Sequence, residues 1–227
     1  MLVRNWMSRN VITVDEEDSM QRAHKLMKEH NIGFLPVMRQ GSLVGVVTDR
    51  DLKRASPSDA TSLEVHELLY LVSKIKVKEI MSKPPITVPD DATVDEVAQV
   101  MLSNNIGGVP VLNKRGEVVG VVTQHDIFKV IMSLTGVDRK GFHFGFQLED
   151  SPGSIKVVTD VIRKYGGRLI SILGQYEHAP VGRRNVYIRA FNLDREKLPA
   201  LVAELREKAP LLFFIDVEGG VREIYET

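Results

Sequence analysis

Cysteine is absent from the 227 residues, which excludes disulfides, thiolate catalysis and cysteine metal sites. Net charge is absent as well: 30 basic side chains balance 30 acidic ones. Electrostatics therefore gives no reason to expect nucleic acid or an anionic membrane as a partner. No apolar run approaches the roughly 20 residues that a membrane-spanning helix requires. The opening MLVRNWMSRN lacks the apolar core and small-residue cleavage site of a secretory signal, so a cytoplasmic location is expected. Reactive constellations are missing too. His24, His30, His66, His125, His143 and His178 are dispersed, with no H-x-x-x-H spacing. There is no G-x-S-x-G elbow, no G-x-x-x-x-G-K loop and no dinucleotide fingerprint. No catalytic residue and no metal site is expected. A hydrophobic fraction of 43% with 26% charged residues is what a chain with a proper buried core carries.

What the chain does contain is an internal repeat, the first thing to settle in any fold reading. A shift of 74 aligns MSRNVITV (7–14) with MSKPPITV (81–88), and NIGFLPV (31–37) with NIGGVPV (105–111). The shift then becomes 75, aligning GSLVGVVT (41–48) with GEVVGVVT (116–123). The extra residue falls within LNKR, where a hairpin turn tolerates insertion. Each copy reads as a short extended ITV, a helix, a hairpin and a second helix, in the order β-α-β-β-α. In the second copy Thr93 and Glu96 form a T-x-x-E capping box, followed by an apolar stripe of Val94, Val97, Ala98, Met101 and Leu102. Met20, Ala23 and Met27 give a thinner stripe in the first. Asn31 and Asn105 are left-handed helix stops. The intervening SPSDATSLEVHELLYLVSKIK (56–76) reads as a linking helix opened by a Thr61–Glu64 capping box.

The hairpins end in GVVTDRDL (45–52) and GVVTQHDI (120–127). A T-x-x-D at a strand-to-helix junction is first of all a helix cap, with Thr48 or Thr123 capping and Asp51 or Asp126 complementing the dipole. The same geometry serves a ligand. Free N–H groups at a helix start receive phosphate, and a carboxylate one turn in accepts both hydroxyls of a ribose diol. On that reading both carboxylates open into a crevice.

These residues resemble the CBS domain, the paired nucleotide-sensing module named after cystathionine beta-synthase. The resemblance covers about residues 1–133 and implies an α+β fold in which two β-α-β-β-α repeats form a Bateman module. It implies domains at 1–55 and 77–133, joined by 56–76. It further implies two clefts for adenine nucleotide (AMP, ADP or ATP), a regulatory ligand rather than a catalytic cofactor. Carried over by position, one cleft uses Thr123, His125 and Asp126 with Thr13, Val14, Gly33, Phe34, Leu35 and Pro36. The other uses Thr48, Arg50 and Asp51 with Thr87, Val88, Gly107, Gly108, Val109 and Pro110. Arg50 is a permanent cation whereas His125 is not, so the Asp51 cleft is expected to favour the more phosphorylated ligands.

Beyond a linker at 134–140 the repeat does not recur. GFHFGFQLED puts Phe142, Phe144, Phe146 and Leu148 on one strand face. A helix is expected from Ser151, with Ser151 as cap and Pro152 in the first helical position. Two strands, a helix over about 195–208 with Pro199 in its first turn, and the strand LLFFIDV follow. The order β-α-β-β-α-β is that of a ferredoxin-like split sandwich. With Asp150, Ser151, Pro152, Gly153, Ser154 and Ile155 standing at a D-x-P-G-x-L turn, isoleucine in place of the leucine, the domain at 141–227 resembles the ACT domain over about residues 141–218. That resemblance implies binding of an amino acid or small acid at the turn, and a homodimer. Two CBS repeats followed by an ACT-like part resemble the acetoin-utilisation regulatory proteins. The function expected is a non-catalytic ligand-sensing regulator; the alternative is a dimerising scaffold with vestigial clefts.

Overall fold

The computed structural model describes residues 1–56 and 74–225. The linking helix expected over 56–76 lies mostly outside the described residues. The chain divides into two compact units, Met1–Phe128 and Lys129–Thr227.

The first unit holds two copies of one small sheet. In the first copy β1 (Val14–Asp15) runs parallel to β2 (Phe34–Arg39), which pairs antiparallel with β3 (Ser42–Thr48). In the second, β4 (Val88–Pro89), β5 (Gly108–Leu112) and β6 (Val118–Thr123) repeat that order. Even the register slip recurs, between Val37 and Met38 and between Val111 and Leu112. The helices are α1 (Met20–His30), α2 (Asp49–Ala55), α3 (Val77–Ile80), α4 (Val94–Asn104) and α5 (Gln124–Thr135), the last ending beyond this unit.

Local chemistry sets the helix limits. Ser19 caps α1 by accepting from the N–H of Arg22. Thr93 and Glu96 close their capping box, the Thr93 N–H donating to Glu96 Oε2 at 2.7 Å. Asn31 and Asn105 both terminate their helices at φ 52°, the left-handed region that asparagine tolerates. Met20, Ala23, Leu26 and Met27 are buried under α1, and Val94, Val97 and Met101 under α4. Leu102, counted in that stripe from the sequence, is 76% exposed; it lies one residue past the buried face.

The two copies exchange their leading segments. Val3 and Met7 belong to the core of the second repeat, with Val88, Val97, Val109, Val111 and Val122. Val77 and Met81 belong to the core of the first, with Val14, Leu35, Val37 and Val47. The exchange is fixed by backbone hydrogen bonds. Val3 N–H donates to the Ala92 carbonyl at 2.8 Å, and Val77 N–H donates to the Asp18 carbonyl at 2.9 Å. Met7 lies against Gly120, and Met81 against Gly45. Each glycine is where a side chain would collide with the incoming methionine.

The second unit carries five strands: β7 (Phe142–Glu149), β8 (Arg168–Gln175), β9 (Arg183–Phe191), β10 (Leu211–Asp216) and β11 (Val221–Ile224). They lie in the order β11-β10-β7-β9-β8, antiparallel throughout. The edge strand β11 was not foreseen from the sequence. Phe142, Phe144, Phe146 and Leu148 all lie within the core with Val186, Ile188, Leu201 and Leu205. Fully burying one such side chain contributes about 1.5–3 kcal/mol. This core takes in residues of α6 (Ser154–Lys164) and α7 (Leu198–Lys208). Pro199 sits in the first turn of α7, where its missing N–H has no partner to lose. On the other sheet face His143 meets the rings of Phe213, 4.9 Å away, and Tyr187. Burial there, with Arg189 nearby, pushes the His143 imidazole down to about 4.

Candidate functional site

The strand-to-helix junction of each repeat is built from a hairpin end and a helix start. The Asp49 N–H donates to the Gly33 carbonyl at 3.1 Å, and the Gln124 N–H donates to the Gly107 carbonyl at 3.0 Å. Phe34 pairs with Thr48 across the hairpin, and Gly108 with Thr123. Gly33 and Gly107 are exposed; a side chain at Gly33 would lie 3.5 Å from the Asp49 carboxylate. Each T-x-x-D therefore stands beside an open glycine of its own repeat. The repeats also meet at this level, where the Phe34 ring lies 3.5 Å from the space above Gly108.

The carboxylates themselves depart from the open crevice expected. Asp51 is 6% exposed and Asp126 7%. Oδ2 of Asp51 accepts from Thr48 N–H at 3.0 Å and from the Thr48 hydroxyl at 2.7 Å. Its Oδ1 accepts from Arg54 Nη2 at 2.7 Å. Thr123 repeats the arrangement, its N–H and hydroxyl donating to Asp126 Oδ2 at 3.0 and 2.8 Å. Both acids are turned inward because the cap consumes one oxygen and excludes water from it. A cap of this kind contributes about 0.5–2 kcal/mol. Arg54 was not singled out in the sequence, although an arginine three residues along a helix from an aspartate is a readable pairing.

The remaining candidates divide by burial. Val14, Leu35, Pro36, Val88, Gly108, Val109 and Pro110 are buried in the sheets. Thr13, Gly33, Arg50, Gly107 and His125 are exposed, and Phe34, Thr48, Thr87 and Thr123 lie between. A cavity of about 340 Å³ lined by Met20, Gln21, His24, Asp49, Leu52, Lys53 and Ser56 opens beside α1 and α2, and neither buried carboxylate is among its lining. Among the described residues no group of three His, Cys, Asp or Glu is placed to hold a metal, and no helix is long and apolar enough to cross a membrane.

In the second unit, residues 150–153 form an exposed turn ahead of α6, whose first residues Ser154 and Ile155 are partly covered. The helix starts three residues later than Ser151. Gly153, at φ 90°, occupies the cap position, and no side chain caps it. Neither Ser151 nor Pro152 takes the role expected, because the left-handed turn at Gly153 must come first. Arg184 reaches this turn, its Nη2 lying 3.3 Å from Ser154 Oγ and its Nε 3.6 Å from Asp150.

The model of the family described as "CBS domain" matches residues 3–58 and 77–133. A CBS domain-containing protein of Dictyostelium discoideum is 33% identical over 135 residues, covering 59% of this chain and 93% of that protein. The chain belongs to the CBS domain-containing proteins. The CBS domain-containing protein YhcV of Bacillus subtilis is 27% identical and is covered over 98% of its length, with 62% of this chain. An inosine-5'-monophosphate dehydrogenase of Korarchaeum cryptofilum is 39% identical over 53% of this chain, but the match spans 22% of that enzyme. Among solved structures, the CBS domain of a membrane protein from Sphaerobacter thermophilus is 31% identical with a TM-score of 0.50, covering 57% of this chain and 86% of that one.

The two CBS repeats are not equivalent at their junctions. Phe34 and Gly108 occupy matching positions, so one repeat supplies a ring where the other supplies none. Arg50 and His125 likewise match in position, a guanidinium in one repeat and an imidazole in the other.

Proposed function

We propose that this CBS protein is a non-catalytic ligand sensor that binds adenine nucleotides in clefts between its paired repeats. The observation that carries the reading is the twofold recurrence of a T-x-x-D carboxylate at a helix start beside an open glycine. Phosphate would lie at the starts of α2 and α5, near Arg50 or His125. The ribose diol would take the outer oxygen of Asp51 by displacing Arg54, whose side chain is 73% exposed and free to rotate. Each T-x-x-D would serve with the ITV and pre-proline segments of the opposite repeat. The C-terminal unit, whose β-α-β-β-α-β order is followed by the edge strand β11, is read as an ACT-like domain that binds a small acid at residues 150–155 or pairs two chains into a homodimer. The burial of Asp51 and Asp126 within satisfied caps favours a second reading, a dimerising scaffold whose clefts no longer take ligand.

Calorimetric titration of AMP, ADP and ATP, with melting curves alongside, tests the two. A nucleotide at a hundredfold excess over its dissociation constant stabilises the fold by about 2.7 kcal/mol. Arg50→Ala should weaken ATP more than AMP, and His125→Ala should weaken both less. Absence of any melting shift with all three nucleotides selects the scaffold. Equal losses in the two variants would remove the assignment of the more phosphorylated ligand to the Asp51 cleft.

A further inference from the structure

The two CBS repeats differ most in charge pairing at the far end of the hairpin, away from the T-x-x-D junctions. In the first repeat Glu16 is 7% exposed and is gripped by both the Nε and the Nη2 of Arg39, the latter at 2.6 Å. Beside it Lys78, from the exchanged segment, pairs with Glu17 at 2.6 Å. The shift of 74 carries these four positions onto Asp90, Asn113, Arg4 and Asp91. Backbone hydrogen bonds confirm the equivalence: Glu16 N–H donates to the Met38 carbonyl at 3.0 Å, and Asp90 N–H to the Leu112 carbonyl at 2.9 Å.

At the second location all four residues differ. Both acids are shorter by one methylene. The arginine is replaced by Asn113, whose Oδ1 is engaged within the turn by the N–H groups of Arg115 and Glu117 at 2.9 and 3.0 Å. The turn is one residue longer, with Lys114 and Arg115 where the first repeat has Gln40 alone. A cavity of about 270 Å³ results, lined by Arg4, Asp90, Asp91, Asn113, Lys114 and Arg115. Among the described residues, none of these five charged side chains has an ion-pair partner. Nε of Arg4 is buried and makes no hydrogen bond, a donor that ordinarily finds an acceptor.

We propose that this cavity is a second ligand site, taking a small carboxylic acid that also carries a hydroxyl or ammonium group. Three cations against two carboxylates leave one unit of positive charge for the ligand's carboxylate, which the arginines can grip through paired N–H donors. The same two aspartates oppose a ligand with no donor, such as acetate, and repel the higher negative charge of phosphate. The volume equals about nine waters at ~30 Å³ each, ample for a three- to six-carbon acid and too small for a nucleoside triphosphate. The ligand replaces the ion pairs that the first repeat makes for itself. This site is independent of the nucleotide reading.

Titration of the full chain with serine, lactate, acetate and inorganic phosphate, followed by the amide NMR signals of residues 113–116, tests the assignment. Serine or lactate should saturate, at least about tenfold tighter than acetate or phosphate. Arg115→Ala and Asp91→Ala should each weaken that binding by about tenfold or more. The double variant Asn113→Arg with Asp90→Glu rebuilds the ion pair of the first repeat. It should stay folded, checked by its urea midpoint, and lose the ligand. No saturation by any probe at about 10 mM overturns the site, as does binding that survives the double variant. Acetate or phosphate bound as tightly as serine and lactate overturns the role given to the aspartates.

Discussion

The exchanged leading segments can be tested at one contact, Met7 on Gly120. An alanine at 120 places its methyl against the Met7 side chain, nearest its sulfur, with Cγ at 2.7 Å and Cβ at 3.2 Å. Overpacking of this kind costs about 1–3 kcal/mol, offset by the roughly 0.5–1 kcal/mol by which alanine exceeds glycine within a strand. Gly120→Ala should therefore lose about 1–2 kcal/mol. Met7, 9% exposed, should lose about 2–5 kcal/mol on truncation to alanine. In the double variant the added methyl enters the space vacated by Met7, so the losses should not add. A coupling of about 1–2 kcal/mol is expected, well outside the ~0.5 kcal/mol within which independent sites add. Urea unfolding of the four chains at one temperature supplies the cycle, with constant slopes required for comparison. Strict additivity would refute the packing of Met7 on the second repeat. Coupling of Met7→Ala to Gly45→Ala in place of Gly120→Ala would show that each segment packs on its own copy.

Two further outcomes follow from local structure. With its folded value near 4, below the ordinary 6.5, His143 stays neutral where the unfolded chain already takes a proton; stability should fall as pH drops from 6.5 to 4 and then level. After allowance for its partial exposure this amounts to about 1–2 kcal/mol. Urea midpoints at both ends of that window should differ less in His143→Phe than in the parent, and an unchanged difference would reject the cause. Thr93→Ala should cost about 1 kcal/mol by opening the capping box of α4, and Thr93→Ser should restore most of it; equal midpoints for the alanine and serine variants would show that the cap contributes nothing.

The elements most legible in the sequence were those set by short-range chemistry. The asparagine stops, the Thr93–Glu96 box and the alternating phenylalanines of β7 each follow from neighbours within a few residues. The shift from 74 to 75 located the hairpin turn because strands on either side hold their register. The exchange of leading segments was not legible. Both repeats offer the same hairpin with the same glycine, so nothing local says which one MSRN or MSKP will cover. The inward turn of Asp51 and Asp126 was hidden differently: cap and ligand draw on the same two residue types, and at Asp51 Arg54 adds a contact that spacing alone leaves optional. The late start of α6 shows a third limit, since Gly153 at φ 90° overrules the favourable chemistry of Ser151 and Pro152.

The crossing-over of Val3 and Met7 to one repeat, and of Val77 and Met81 to the other, makes the pair a clasp. Neither half owns all of its interior, so severing the peptide between them should leave two fragments that still hold each other, whereas either fragment made alone should be incomplete. This joins the two halves mechanically: whatever tilts one repeat pulls on the stretch of chain from which the other begins.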